Sequence, residues 1–146
     1  LAAWNRQLSD KGITLLALRY TACTALVYVC RKERLQQDLS KPEIKKFLEK
    51  YGYIQTDVEY AIARLKSRLE AEAEFPHEIG IFLGYPLGDV VGFVENAGKN
   101  SKCTGCWKVY CNECEAIKVF ARFDKCKAVY MRLWNQGRSV RQLTVA

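Results

Sequence analysis

The sequence predicts an α+β fold, a small antiparallel sheet covered by several helices. Two aliphatic, β-branched runs, about 13–20 and 24–30, lie only a few residues apart, so they are expected to pair as a hairpin. A third extended run, Trp107-Lys108-Val109-Tyr110, is expected to add a strand to that sheet. Elsewhere apolar residues recur at i, i+3, i+4 and i+7, the period of a helix with one buried face.

Taken in order, residues 1–9 place Leu1, Trp4 and Leu8 on one helical face, and Asp10-Lys11-Gly12 makes a turn into the hairpin. Ser40-Lys41-Pro42-Glu43 has the form of a capping box with proline in the first turn. Ile44, Phe47, Leu48 and Tyr51 then line a helix that Gly52 ends. Thr56-Asp57-Val58-Glu59 repeats the capping pattern, and its helix buries Val58, Ala61, Ile62, Leu65 and Leu69 before stopping ahead of Pro76. A short helix is expected from Leu87 to Ala97, closed by Gly98. A long one follows from a cap at Asn112 to about Asn135, with Glu115 completing the box, Gly137 closing it and a last turn over Ser139–Leu143.

At 146 residues the chain is expected to form a single domain, 1–146. No apolar run reaches the roughly 20 residues of a membrane span. The start at Leu1 rather than Met predicts that an N-terminal segment of the natural protein is missing. Seven scattered cysteines fit reduced thiols in a cytoplasm better than a secreted disulfide framework. The formal charge of +7 is unevenly spread: residues 1–98 balance to zero, and residues 99–146 carry all of the surplus.

The stretch CTGCWKVYCNEC places Cys103, Cys106, Cys111 and Cys114 in two CxxC pairs, the form of a metal knuckle or a redox motif. Zinc pairs are usually separated by more than ten residues, and here four intervene. With those four extended, Cys106 and Cys111 lie about 16 Å apart at roughly 3.3 Å per residue, too far to share one ion. The four thiols therefore read as free, and no metal or other cofactor is expected. Cys23, Cys30 and Cys126 read as small core residues.

The only histidine, His77, stands beside Glu78 in FPHEIGIFLGYPLGDVVGF. A zinc-protease HExxH fails because Ile81 occupies the second histidine position. Glycine recurs every four residues from Gly80 to Gly92, which on a helix would give a smooth face for close packing. Such an apolar stretch also has the character of a ligand pocket, with His77, Glu78, Tyr85 and Asp89 as its polar groups. No nucleophile motif or phosphate loop accompanies it.

The stretches PHEIGIFLGYPLGDVVGF, CWKVYC, the helix AIKVFARFDKC and the closing GRSVRQLTVA resemble the bacterial domain-of-unknown-function family 3793 over most of the chain. The resemblance implies an identity rather than a mechanism. It also implies an N-terminal Cys-Ala-Pro-Thr motif, absent here, and an acidic, flavodoxin-like protein as a partner.

On the helix after Asn112, Ala116, Val119, Phe120, Phe123, Cys126, Tyr130, Leu133 and Trp134 share an arc expected to be buried. Lys118, Arg122, Lys125 and Arg132 form a basic stripe opposite. With its apolar arc committed to the core, the helix is not expected to lie on a membrane. Nucleic acid is disfavoured, since no reader motif accompanies the stripe. The leading expectation is a non-catalytic cytoplasmic binding module that meets an anionic partner through this helix. The alternatives are a small-molecule binder or enzyme using His77 and Glu78, and a thiol-redox or metal protein using the CxxC pairs.

Overall fold

The computed structural model describes residues 1–71 and 75–146, which form two compact units, 1–84 and 85–146. The fold is α+β, with two separate two-stranded antiparallel sheets among eight helices and a 3-10 turn in the described residues. No described helix is long and apolar enough to cross a membrane.

In the first unit, α1 (Ala2–Leu8) leads through a 3-10 turn (Ser9–Lys11) into β1 (Thr14–Tyr20) and β2 (Ala25–Cys30). The hairpin runs in register from Thr14 opposite Cys30 to Ala17 opposite Val27, and then slips by one residue. Leu18 is the extra residue, and its side chain is buried. The Asn5 side-chain amide grips β1 twice, donating to the Leu15 carbonyl (2.9 Å) and accepting from the Leu15 amide (2.8 Å).

Helices α2 (Lys32–Leu39), α3 (Pro42–Glu49) and α4 (Val58–Ala71) follow, then a single turn, α5 (Ile79–Phe82). Helix α2 has no counterpart in the sequence reading, because only Leu35 and Leu39 mark its buried side. The expected caps shift for local reasons. The Ser40 hydroxyl donates back to the Gln36 carbonyl (2.7 Å) at the end of α2, so no box forms and Lys41 precedes Pro42 as the cap. Asp57, not Thr56, caps α4 by accepting from the Tyr60 amide (3.0 Å). Gln36 accepts from the Val58 amide (3.1 Å). The expected continuation of α4 over residues 72–74 lies outside the described residues. Leu39, Leu65 and Ile81 are the largest fully buried apolar side chains of this unit's core.

The second unit comprises α6 (Leu87–Glu95), the ribbon β3 (Cys103–Thr104) and β4 (Lys108–Val109), α7 (Glu113–Asn135) and α8 (Val140–Leu143). The Trp107–Tyr110 run thus supplies an arm of its own ribbon instead of a third strand for the hairpin. Asn112 gives no side-chain cap to α7, and Glu115 pairs with Lys118 (2.8 Å) instead of closing a box. At the other end Gly137 adopts φ +87°, and the Arg138 amide reaches the Leu133 carbonyl (3.2 Å). A true capping box does form at Ser139 and Gln142, starting α8, which folds back against α7.

Candidate functional site

The ribbon of the second unit is anchored by one carboxylate. Asp89 in α6 is buried, and its Oδ2 accepts from the Trp107 indole N–H (2.8 Å). Its Oδ1 accepts from the Tyr110 amide (2.8 Å), the Cys111 amide (3.0 Å) and the Cys111 thiol (3.0 Å). Burial alone would raise its pKa, but the hydrogen bonds from Cys111, Tyr110 and Trp107 outweigh that and hold it below the usual carboxylate value. Glycine makes the approach possible. A Cβ on Gly88 would stand 2.9 Å from the Cys111 sulfur, and one on Gly92 would stand 2.4 Å from the Tyr110 Cβ. Gly88 and Gly92 therefore serve close packing within this unit, whereas Gly84 has open space around it and a φ of +75°.

Each residue of Trp107–Tyr110 has a packing role. Trp107 stacks on Tyr85 (5.0 Å between centroids) and meets Phe120 edge-on (4.6 Å). Lys108 donates to the Gly98 carbonyl (2.6 Å) above the Phe93 ring. Val109 is fully buried, and the Tyr110 hydroxyl is buried without a hydrogen-bond partner. Tyr85 and Asp89, two of the expected pocket residues, are thus engaged in holding the ribbon.

The cysteines are spread along the same ribbon. Cys103 pairs across from Val109, Cys106 is exposed in the turn, and Cys114 is exposed in the first turn of α7. Burial and the Asp89 carboxylate push the Cys111 thiol up, which disfavours the thiolate that a metal or a redox step requires. Among the described residues no group of three His, Cys, Asp or Glu is placed to hold a metal ion. Cys23 and Cys126 are exposed and Cys30 is half-buried, so the expectation of core positions fails for the first two.

Helix α7 departs most from expectation. Of the arc expected to be buried, only Ala116 is. Phe123, Tyr130 and Trp134 are 49%, 41% and 52% exposed, Cys126 is exposed, and Val119, Phe120 and Leu133 are half-buried. The physical reason is size. Within its unit the 23-residue helix meets the short ribbon near its start, where Phe120 packs on Trp107, and one helical turn, α8, near its end. Lys118, Arg122, Lys125 and Arg132 are all exposed along the helix, with Lys118, Lys125 and Arg132 spaced seven apart.

In the first unit His77 and Glu78 diverge. His77 is exposed, whereas Glu78 is fully buried, ion-paired with Arg68 and accepting from the Tyr53 hydroxyl (3.1 Å). Burial and the neighbouring Glu78 push the Tyr53 hydroxyl well above its ordinary range. Arg68 in turn lies over the Tyr51 ring (5.3 Å). Glu78 is an internal counter-ion. Arg68 and Tyr53 escaped the sequence reading, and the one signal for Arg68 was its place three residues after Leu65 on the buried side of α4. A cleft of about 210 Å³ in this unit is lined by Tyr28, Arg31, Arg34, Asp38, Leu83 and Gly84, and not by His77 or Glu78.

The family model described as protein of unknown function (DUF3793) matches residues 1–144. No curated protein and no solved structure gives a match.

Proposed function

The chain belongs to the DUF3793 family, and within it we propose that this protein is a non-catalytic binding module that docks an acidic protein on α7. The observation that carries the reading is the pairing of two features on one helix. Its basic side chains Lys118, Arg122, Lys125 and Arg132 are exposed, and the apolar Ile117 and Met131 beside Lys118 and Arg132 are exposed too. Charge steers encounter and selects the sign of the partner, while the apolar residues supply affinity. The confinement of the +7 surplus to residues 99–146 supports the same reading. The seven scattered thiols fit a reducing, cytoplasmic setting.

The His77–Glu78 alternative loses support because both carboxylate oxygens of Glu78 are engaged internally by Arg68. A metal or redox use of the CxxC pairs loses support from the locked Cys111 thiol. The test is a calorimetric titration with a purified acidic flavodoxin as ionic strength rises. Affinity should fall steeply once the screening length drops to about 8 Å near physiological salt. Binding of unchanged strength across the salt series would remove the proposal.

A further inference from the structure

From Ala116 onward, the positions on α7 that carry its apolar arc are 116, 119, 123, 126, 130 and 133. These steps alternate three and four, the spacing of any helix with one covered face and one that lets two such helices pack along a left-handed seam. Ala116 is buried in its own chain, and the rest of the seam, Val119 to Leu133, runs about 21 Å at 1.5 Å per residue. Three of its members, Phe123, Cys126 and Tyr130, are exposed, with Trp134 exposed on the flank. We propose that this seam is covered by α7 of a second copy of the chain, packed antiparallel.

The charges flanking the seam choose both the occupant and its direction. A parallel pair would set Arg122 against Lys127 on both sides, two like-charge contacts. An antiparallel pair centred between Asp124 and Lys125 sets Phe123 opposite Cys126 of the second copy and Val119 opposite Tyr130, while Ala116, buried in its own chain, lies beyond the contact. Its flanks then place Arg122 opposite Val129 and Phe120 opposite Lys127, with no like-charge contact. Glu113 and Glu115 at one end come near Arg138 at the other, so the ends attract.

The size is adequate for a modest dimer. Phe123, Tyr130 and Trp134 are each about half exposed, so covering them removes on the order of 300 Å² per copy. With Val119, Phe120, Cys126 and Leu133 the total over two copies approaches the ~1,000 Å² of a small specific interface, which fits micromolar association. Lys118, Lys125 and Arg132, each two residues beyond a first seam position, stay outside. The dimer leaves these three cations and the neighbouring Ile117 and Met131 open on each copy for the acidic partner, while Arg122 flanks the seam.

The test is sedimentation equilibrium on the whole chain from about 5 to about 200 µM, a range that brackets such a constant. A mass of twice the 16.7 kDa chain at the upper end is expected. Phe123→Glu and, separately, Tyr130→Ser should return the mass to one chain while far-UV circular dichroism keeps its helical signal. Lys125→Glu should leave the dimer in place. Glu115→Arg should weaken it several-fold in the antiparallel arrangement, and an unchanged constant overturns that direction. A single-chain mass throughout, or a dimer that survives both seam substitutions, overturns the proposal. So does a single-chain protein whose seam substitutions abolish binding to phosphatidylglycerol vesicles, which would give the face to a membrane.

Discussion

Replacing Asp89 with asparagine removes one charge and almost no volume, yet it strikes the hydrogen bonds that hold the ribbon to α6. The carboxylate accepts from three N–H groups and one thiol, with the indole on one oxygen and the rest on the other. Asparagine must turn its NH2 toward one of these sets. The cheaper choice faces the Trp107 indole N–H, leaving two donors opposed at a cost of about 1–3 kcal/mol. Loss of charge assistance on the two remaining backbone bonds adds roughly 1 kcal/mol each. The expected total is about 3–5 kcal/mol, and for Asp89→Ala at least as much.

Urea unfolding followed by near-ultraviolet circular dichroism, which reports the Tyr85–Trp107–Phe120 cluster, measures the loss. With a slope of about 1–2 kcal/mol per molar, the midpoint should fall by roughly 2 M or more. The pH dependence checks the cause. A carboxylate whose folded pKa is depressed stabilises the fold fully above its unfolded value of about 3.9, and this is lost as pH falls through the folded value. The gap between wild type and Asp89→Asn should therefore be complete at pH 7 and close progressively below about pH 4. A loss under 0.5 kcal/mol at pH 7, or a gap unchanged into acid, would refute the assignment of Asp89 as the ribbon's anchor.

Three further outcomes are expected. Glu78→Gln removes the fully buried carboxylate that Arg68 and the Tyr53 hydroxyl contact and should cost about 3 kcal/mol in urea unfolding, and a cost below 1 kcal/mol would contradict the internal-pair reading. Gly92→Ala places a methyl where the Tyr110 side chain stands, so a loss of about 1–3 kcal/mol is expected, and a stability equal to wild type would show that α6 does not pack this closely. Tyr110→Phe removes a buried hydroxyl that has no partner and should be neutral or stabilising by about 1 kcal/mol, whereas a clear destabilisation would mean the hydroxyl is bonded.

Local signals read correctly where the chemistry was local. Gly52, Gly98 and Gly137 were expected to end their helices, and all three adopt positive φ there. The apolar stripe of α4 is buried as its spacing implied. Caps read poorly because a hydroxyl has more than one suitor: Ser40 gave its proton to the preceding helix. Helix α2 was missed because two leucines in eight residues make too faint a period. Asp89 stood out only as a polar group in an apolar run, since its partners lie 18 to 22 residues away and no spacing rule joins them. The arc on α7 was legible as an arc, but periodicity identifies an apolar face without saying what covers it.

Docking through α7 is tested most directly by one titration with three chains against the same acidic protein. These are the wild type, a chain with Lys118, Arg122 and Lys125 changed to Glu, and a chain with the exposed Lys45, Lys46 and Lys50 of the first unit changed to Glu. The two variants carry the same net charge, so only the location of the lost cations differs. The α7 variant should bind about 10–100-fold more weakly than wild type, and the other within about threefold. Equal loss in both variants would mean that net charge alone attracts the partner, and no loss in the α7 variant would place the docking surface elsewhere.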